Sequence, residues 1–388
     1  MNFETINMGA YNLHLIKTKK FKTITIDVDF YREIKKEEIT KRNLLKMILL
    51  DSSKNYKTER SLIVEGEQLY DIKISSSISR IGGFSNLSFQ TKFLHERYPE
   101  KQKNKLRQSI LRIKDNKVKY AVLKLMEKMK GKPYSYNTYG DIEDLEKITG
   151  KTLYEYYCSV LKEDQVDVFV LGDFDSSKIK EIFKNYFKKE NNKLIIAELI
   201  PRKRTVQYRE YDEVSQTQLI ILCSLHNLTA YERGYVIKLY NEILGGTSNS
   251  LLFDTVREKN SYCYYINSSV KAYDNILIIN SGIEGKNVDK CIKLIKKTLA
   301  NLANGKIKNE QLESAKNTII SAIKSSFDNP IGVINTYFSK ILVNSDDEKE
   351  RIEKFKKVTL KEIEAVSKKV KIHTILTLEN KEEKNEED

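Results

Sequence analysis

The chain is poor in the residues that mark many functional classes. Its 388 residues include no tryptophan, which excludes nothing, and only four histidines, four cysteines and four prolines. The cysteines, Cys158, Cys223, Cys263 and Cys291, never fall in a CxxC pair. A disulfide framework is therefore not expected, and a reducing compartment is the default. The opening, MNFETINMGAYNL, has no basic segment followed by an apolar one, so no secretory signal is expected. The longest apolar run, near residues 44–50, is interrupted by Lys46 and is far too short to span a bilayer. A cytoplasmic location with no membrane partner is the expectation. The histidines are His14, His95, His226 and His373, and the closest two lie 81 residues apart. No two of them can share a helix.

Charge is plentiful and unbalanced. Lys+Arg number 68 against 54 Asp+Glu, a net charge of +14. A basic excess can point to nucleic acid, an anionic membrane or an acidic peptide. Here it is dispersed. Apart from Lys17-Thr18-Lys19-Lys20-Phe21-Lys22 and the group from Lys101 to Lys105, acidic residues separate most of the lysines. No aromatic-interleaved basic stripe and no zinc-finger spacing is present. The lysines read as a solvated surface, and no nucleic-acid partner is expected. Hydrophobic residues make up 40% of the chain, enough for buried cores, and the length suits two or more domains.

Patterning shows two halves built alike. FKTITIDVDF, residues 21–30, alternates: Ile24, Ile26, Val28 and Phe30 face one way, and Thr23, Thr25, Asp27 and Asp29 the other. This is the pattern of a half-buried strand. An apolar helix, EEITKRNLLKMILLD, follows, then a helical segment around 58–69 and strands at YDIKISSS and NLSFQTKF. The order returns as TQLIILCSL, AYERGYVIKLYNEILGG, LLFDTVREK, YCYYINSSV and NILIINSG. Ile24 and Gln218, and the dipeptides Ser75-Ser76 and Ser268-Ser269, recur at a separation of 193–194 residues. Further helices follow in each half, and each closes on a late strand, VDVFVLGDF or KIHTILTLE. The near-constant offset argues for internal duplication. The grouping of strands and helices argues for an α+β fold with a mostly antiparallel sheet in each half rather than a doubly wound parallel sheet. The expected organisation is an N-terminal half at 1–188, a linker at 189–204, a C-terminal half at 205–380, and a tail at 381–388 too polar to bury.

One stretch, SNSLLFDTVREKNSYCYYINSS at 248–269, holds a candidate pair, Arg257 and Tyr264. On spacing alone the bland reading leads. Tyr262 and Tyr264 would share one face of a strand and pack, and Arg257 would complement a helix C-terminus.

At LGGTSNSLLFDTVREKNSYCYY the chain resembles the pitrilysin/insulinase family of zinc metallopeptidases. It supplies Gly245, Gly246, Ser250, Leu252, Phe253, Val256, Arg257, Glu258, Lys259 and Tyr264 in the family's order. EQLESAKNTI and VFVLGDFD are similar to two further family segments, and the duplicated α+β order agrees with the family fold. The resemblance implies His-x-x-Glu-His on the first helix, where imidazoles one turn apart hold zinc and the glutamate activates water. This chain departs there. Asn43, Lys46 and Met47 stand at those positions, and 101–114, matching the region of a later glutamate ligand, contains no acid. His95-Glu96 is the only local His–Glu pair and reads as surface. No zinc is expected in this chain, and it is not a peptidase alone.

In the family the arginine and tyrosine reach the zinc site from the C-terminal half and hydrogen-bond the substrate backbone and the developing oxyanion. Some members divide the work between two chains, one keeping the zinc motif and the other keeping Arg and Tyr. The resemblance therefore implies a non-catalytic subunit of a heterodimer. Such a subunit would bind a peptide or unfolded polypeptide and offer Arg257 and Tyr264 to zinc in a pitrilysin-family partner. NLHLIKTKKFKTITIDVDF is similar to a bacterial subclass associated with 5-aminopentanol modification of elongation factor P. The alternatives are a scaffold of the same fold with no part in hydrolysis and, more weakly, a nucleic-acid binder driven by charge.

Overall fold

The computed structural model describes residues 2–18, 20, 25–51, 55–68, 74–90, 100–129, 133–184 and 205–381. His95-Glu96, the linker at 189–204 and residues 382–388 of the tail lie outside them. The strands are β1 (Asn2–Asn7), β2 (Asn12–Lys17), β3 (Thr25–Glu33), β4 (Ser75–Ile81), β5 (Phe84–Gln90), β6 (Gln165–Gly172), β7 (Val206–Asp212), β8 (Thr217–Leu225), β9 (Cys263–Lys271), β10 (Ile276–Ile283) and β11 (Val370–Asn380). The α-helices are α1 (Lys36–Asp51), α2 (Glu59–Gln68), α3 (Glu100–Leu111), α4 (Lys117–Glu127), α5 (Ile142–Lys147), α6 (Gly150–Glu163), α7 (Ser176–Phe183), α8 (Ile237–Asn241), α9 (Val288–Ala303), α10 (Asn309–Ser326), α11 (Pro330–Val343), α12 (Glu348–Lys357) and α13 (Leu360–Ser367).

One sheet has the order β1-β2-β6-β3-β5-β4 and the other β7-β11-β8-β10-β9. Without β1, the first order becomes the second when β2, β6, β3, β5 and β4 are replaced by β7, β11, β8, β10 and β9. Each sheet has one parallel pair, β2 with β6 and β7 with β11, and is otherwise antiparallel. The fold is therefore α+β and duplicated, as the recurring pattern predicts. The likeness reaches individual contacts. Ser76 Oγ donates to the carbonyl of Lys46 on α1 at 3.4 Å, and Ser268 Oγ to the carbonyl of Asn241 on α8 at 3.4 Å.

By contacts the chain divides into two compact units. One is Met1–Arg112 with Tyr136–Ile196 and Pro330–Ile334; the other is Ile113–Ser135 with Ala197–Asn329 and Asn335–Asp388. In the first unit α1 begins with Glu37 and Glu38, which suit the positive end of the helix dipole. Its Leu44, Leu45, Ile48 and Leu49 pack with Leu153 and Val160 of α6 against Leu13, Leu15, Phe30, Leu87, Val166 and Val168 of the sheet. Thr149 caps α6 through a reciprocal bond with Thr152. In the second unit β8 is buried along its whole length, so both of its faces need cover. Helix α4 covers one, setting Ala121 and Leu125 in a core with Ile220, Leu222, Ile276, Ile278, Leu376 and Leu378. Sequence order alone would have left α4 in the first half.

Alternation along β3 holds, but its polar face is not open to water. Asp27 and Asp29 are each 3% exposed. Ser88 donates to Asp27 at 2.6 Å and Asn86 to Asp29 at 2.6 Å, which is how the sheet tolerates them. The half-buried strand is in fact buried on both faces. Among the described residues no helix is long and apolar enough to cross a membrane.

Candidate functional site

In the first unit Asn43, Lys46 and Met47 fall within little more than one turn of α1, with Asn43 and Met47 sharing a face. Each is committed elsewhere. The Asn43 side-chain amide donates to the carbonyls of Ile39 (3.0 Å) and Thr138 (2.9 Å). Gly140 brings that loop close. Its φ is +96°, and a Cβ there would lie 2.9 Å from Thr40 Oγ1 and 3.2 Å from Thr40 Cα. The Asp141 N–H also donates to Thr40 Oγ1 at 3.0 Å. Lys46 is half-buried, and burial pulls its ammonium below the ordinary lysine range. Met47 packs on the unit's hydrophobic core.

On α3, Lys103 is buried, and its Nζ donates to the carbonyls of Glu146 (3.3 Å) and Ile148 (3.2 Å) at the C-terminal end of α5. A cation is favoured there by the helix dipole. Where the fold family would hold zinc, these residues offer an amide already engaged in two bonds, a cation and a core thioether. They do not fit the ion. Among the described residues no three His, Cys, Asp or Glu side chains are grouped to hold a metal.

The same unit contains a polar chain that the sequence reading missed. Thr5, His14, Asp167 and Tyr31 are linked across four adjacent strands. Thr5 Oγ1 lies 2.9 Å from His14 Nδ1, His14 Nε2 lies 2.7 Å from Asp167 Oδ1, and Tyr31 donates to Asp167 Oδ2. Histidine and carboxylate in this arrangement can serve as a base and its orienter, but His14, Asp167 and Tyr31 are at most 3% exposed, closed to substrate. Asp167, a lone acid in an apolar run, was the available signal, because a buried acid requires partners.

In the second unit the chain passes from the helical turn Phe253–Glu258 into β9. That turn is wound wider than an α-helix: the Lys259 N–H donates to the Asp254 carbonyl, five residues back, at 2.9 Å. Arg257, 43% exposed at its side chain, lies over the Phe253 ring at 4.7 Å, and its Nε is 4.0 Å from Glu258 Oε1. Stacking limits the directions the guanidinium can take. The Ser261 N–H closes on the Arg257 carbonyl at 2.9 Å, and Ser261 takes φ +51°, turning the chain into the strand.

The strand then breaks step. Gly282 of β10 pairs with Tyr265, and Ile283 with Cys263, leaving Tyr264 without a partner in the ladder. This is a β-bulge, which re-aims a side chain. Tyr264 is 55% exposed, so the expectation that Tyr262 and Tyr264 share a packed face does not hold. Tyr262 precedes the strand and is half-buried, its ring 5.9 Å from Lys290 Nζ. Tyr265 turns inward, donates to Gln218, and lies where a Cβ on Gly282 would come within 2.3 Å of its ring. Burial pushes the intervening Cys263 thiol up, despite the hydrogen bond from Ser281 and the charge of Arg257. Among the described residues no hydrogen bond joins Arg257 to Tyr264. Both side chains are exposed on one short segment, able to donate to an acceptor from outside.

Gly245, one residue before the Gly246 helix end, has a packing reason. A Cβ there would lie 2.9 Å from the Ser268 backbone N, so glycine lets the helix approach β9.

Residues 147–319 match the peptidase M16 inactive-domain family. The chain is 28% identical over 363 residues to a probable inactive metalloprotease, YmfF, of Bacillus subtilis (strain 168), covering 84% of this chain and 85% of that protein. A conserved protein from Enterococcus faecalis V583 has a similar structure, with a TM-score of 0.91, 25% identity, and 98% of this chain and 99% of that one covered. A peptidase M16 inactive domain from Pseudomonas fluorescens shares the fold at a TM-score of 0.77 and 17% identity, with 98% of each chain covered. These likenesses support the M16, or pitrilysin, family and its inactive members.

Proposed function

We propose that this chain is the non-catalytic subunit of a heterodimeric zinc peptidase. It binds a peptide or unfolded polypeptide and contributes Arg257 and Tyr264 to the site of a zinc-bearing pitrilysin-family partner. The observation that carries the reading is the bulge at Tyr264. A strand that could have packed this ring instead turns it out, seven residues from an arginine oriented by Phe253. A guanidinium and a phenol are both hydrogen-bond donors. Held in place, they stabilise the oxyanion that forms as water adds to a scissile carbonyl, and do so most where water is excluded.

Among the described residues no group of side chains could hold a metal that activates water; the proposal assigns the attacking hydroxide to zinc in the partner. The reading includes a cytoplasmic location and a link to elongation factor P modification, supported by the resemblance of the segment that forms β2 and β3. The test is reconstitution with a zinc-bearing M16 subunit from the same organism. Gel filtration should show a one-to-one complex, and peptide cleavage should require both chains. Full cleavage by the zinc-bearing chain alone would contradict the proposal.

A further inference from the structure

Helix α9 keeps its lysines together. Lys290, Lys293 and Lys297 recur at three- and four-residue spacing with Lys296 beside them, and all four are exposed. Cys291, Ile292, Ile295 and Leu302 are buried on the other side, and Asp289 is the only acid on the helix. None of the four lysines has an ion-pair partner among the described residues. Other helices of this unit pair at least one lysine with an acid one turn away: Lys316 with Glu313 at 2.8 Å, Lys356 with Glu353 at 2.8 Å, and Lys368 with Glu364 at 2.6 Å. Like charges three and four residues apart destabilise a helix. A face kept only for solvation would be better served by the mixed signs found on α12 and α13.

The row also has a location. Lys290 Nζ lies 5.9 Å from the ring of Tyr262, two residues before Tyr264. Lys290 to Lys297 rises about 10 Å along the helix, the reach of about three residues of extended peptide. We propose that this face binds an acidic segment of the polypeptide substrate, an Asp/Glu-rich stretch flanking the part held at Tyr264. The inference rests on the proposed function and names the substrate class. Nucleic acid is less suited: among the described residues one ring, Tyr262, lies against the row, too few for the successive stacking that single strands use.

The test measures fluorescence anisotropy of the full-length chain with a short labelled peptide carrying a run of glutamates, and with its counterpart carrying glutamines. The glutamate peptide should bind about tenfold more tightly at low salt, and added salt should shrink the difference. Lys290→Glu, Lys293→Glu and Lys297→Glu combined should abolish it. Reversing exposed Lys349, Lys356 and Lys361 together, an equal change in net charge, should leave most of it. Equal binding of the two peptides, or equal loss in both triple variants, overturns the proposal. So does a thymidine oligonucleotide of equal charge that binds more tightly through the same three lysines. If the charge effect is absent while Tyr264→Phe still slows the complex, the lysine surface fails alone. If the effect is present and Tyr264→Phe turns over normally, the surface stands and the active-site reading fails.

Discussion

Asn43 donates its side-chain amide to the backbone carbonyl of Thr138, 2.9 Å away and 95 positions later in the chain. The bond ties the helix that would carry a zinc motif to the loop closing over it. Asn43→Ala leaves that carbonyl without this donor and is expected to cost about 1–2 kcal/mol. Thermal unfolding should show a drop of a few degrees. An unchanged melting temperature would mean that the contact contributes nothing.

The chemistry of Asn43, Lys46 and Met47 predicts that the purified chain carries no stoichiometric zinc, and that Asn43→His does not restore it. One imidazole beside a lysine lacks the ligand set of a stable site. Elemental analysis is the measurement. About one zinc per chain, resistant to mild chelation, would contradict the prediction.

Asp29 makes stability depend on pH. Burial, then the nearby Asp27 carboxylate, raises its carboxyl well above the ordinary value of 3.8, against a hydrogen bond from Asn86, and Asp167 raises it further. A carboxyl raised on folding holds its proton more tightly in the native state. Its contribution is therefore complete below 3.8 and is lost as pH rises through the folded value. Asp29→Asn can still accept from Asn86 and cannot ionise. The variant should match the wild type near pH 4 and exceed it increasingly above, by up to about 1.4 kcal/mol per pH unit within that window. A constant difference across the range would refute the assignment.

Gly282 maintains the bulge. Gly282→Ala places a methyl where the Tyr265 ring lies, so the ring or the strand must move. Overpacking of this kind costs about 1–3 kcal/mol. Because the register changes beside Tyr264, turnover of the complex should also fall. Tyr265→Phe, which removes the bond to Gln218 but keeps the ring, should lower stability with a much smaller effect on turnover. The reverse ranking would separate the bulge from function.

Much of the architecture was legible because it rests on periodicity. The alternation in β3, the apolar runs of β6 and β8, and the recurrence of strand, helix and hairpin in each half are local patterns. The resemblance alone assigned Asn43, Lys46 and Met47 to the zinc-motif positions and gave Arg257 its proposed role. What escaped the sequence depends on partners distant in the chain. Asp27 and Asp29 look solvent-facing until Ser88 and Asn86 are beside them. Helix α4 has an ordinary amphipathic pattern that does not state which sheet it will cover. The exposure of Tyr264 follows from one residue out of register with β10, which strict alternation along β9 cannot show.

The central claim concerns Tyr264, and Tyr264→Phe tests it most directly. The substitution removes the hydroxyl and keeps the ring, so packing is preserved. In the complex reconstituted with its zinc-bearing partner, kcat for peptide cleavage should fall about 10²–10³-fold. KM should change little, because the bond strengthens as charge develops. Gel filtration should show the heterodimer intact, and Tyr262→Phe should behave as wild type. Wild-type kcat in Tyr264→Phe, with assembly unchanged, would contradict the account.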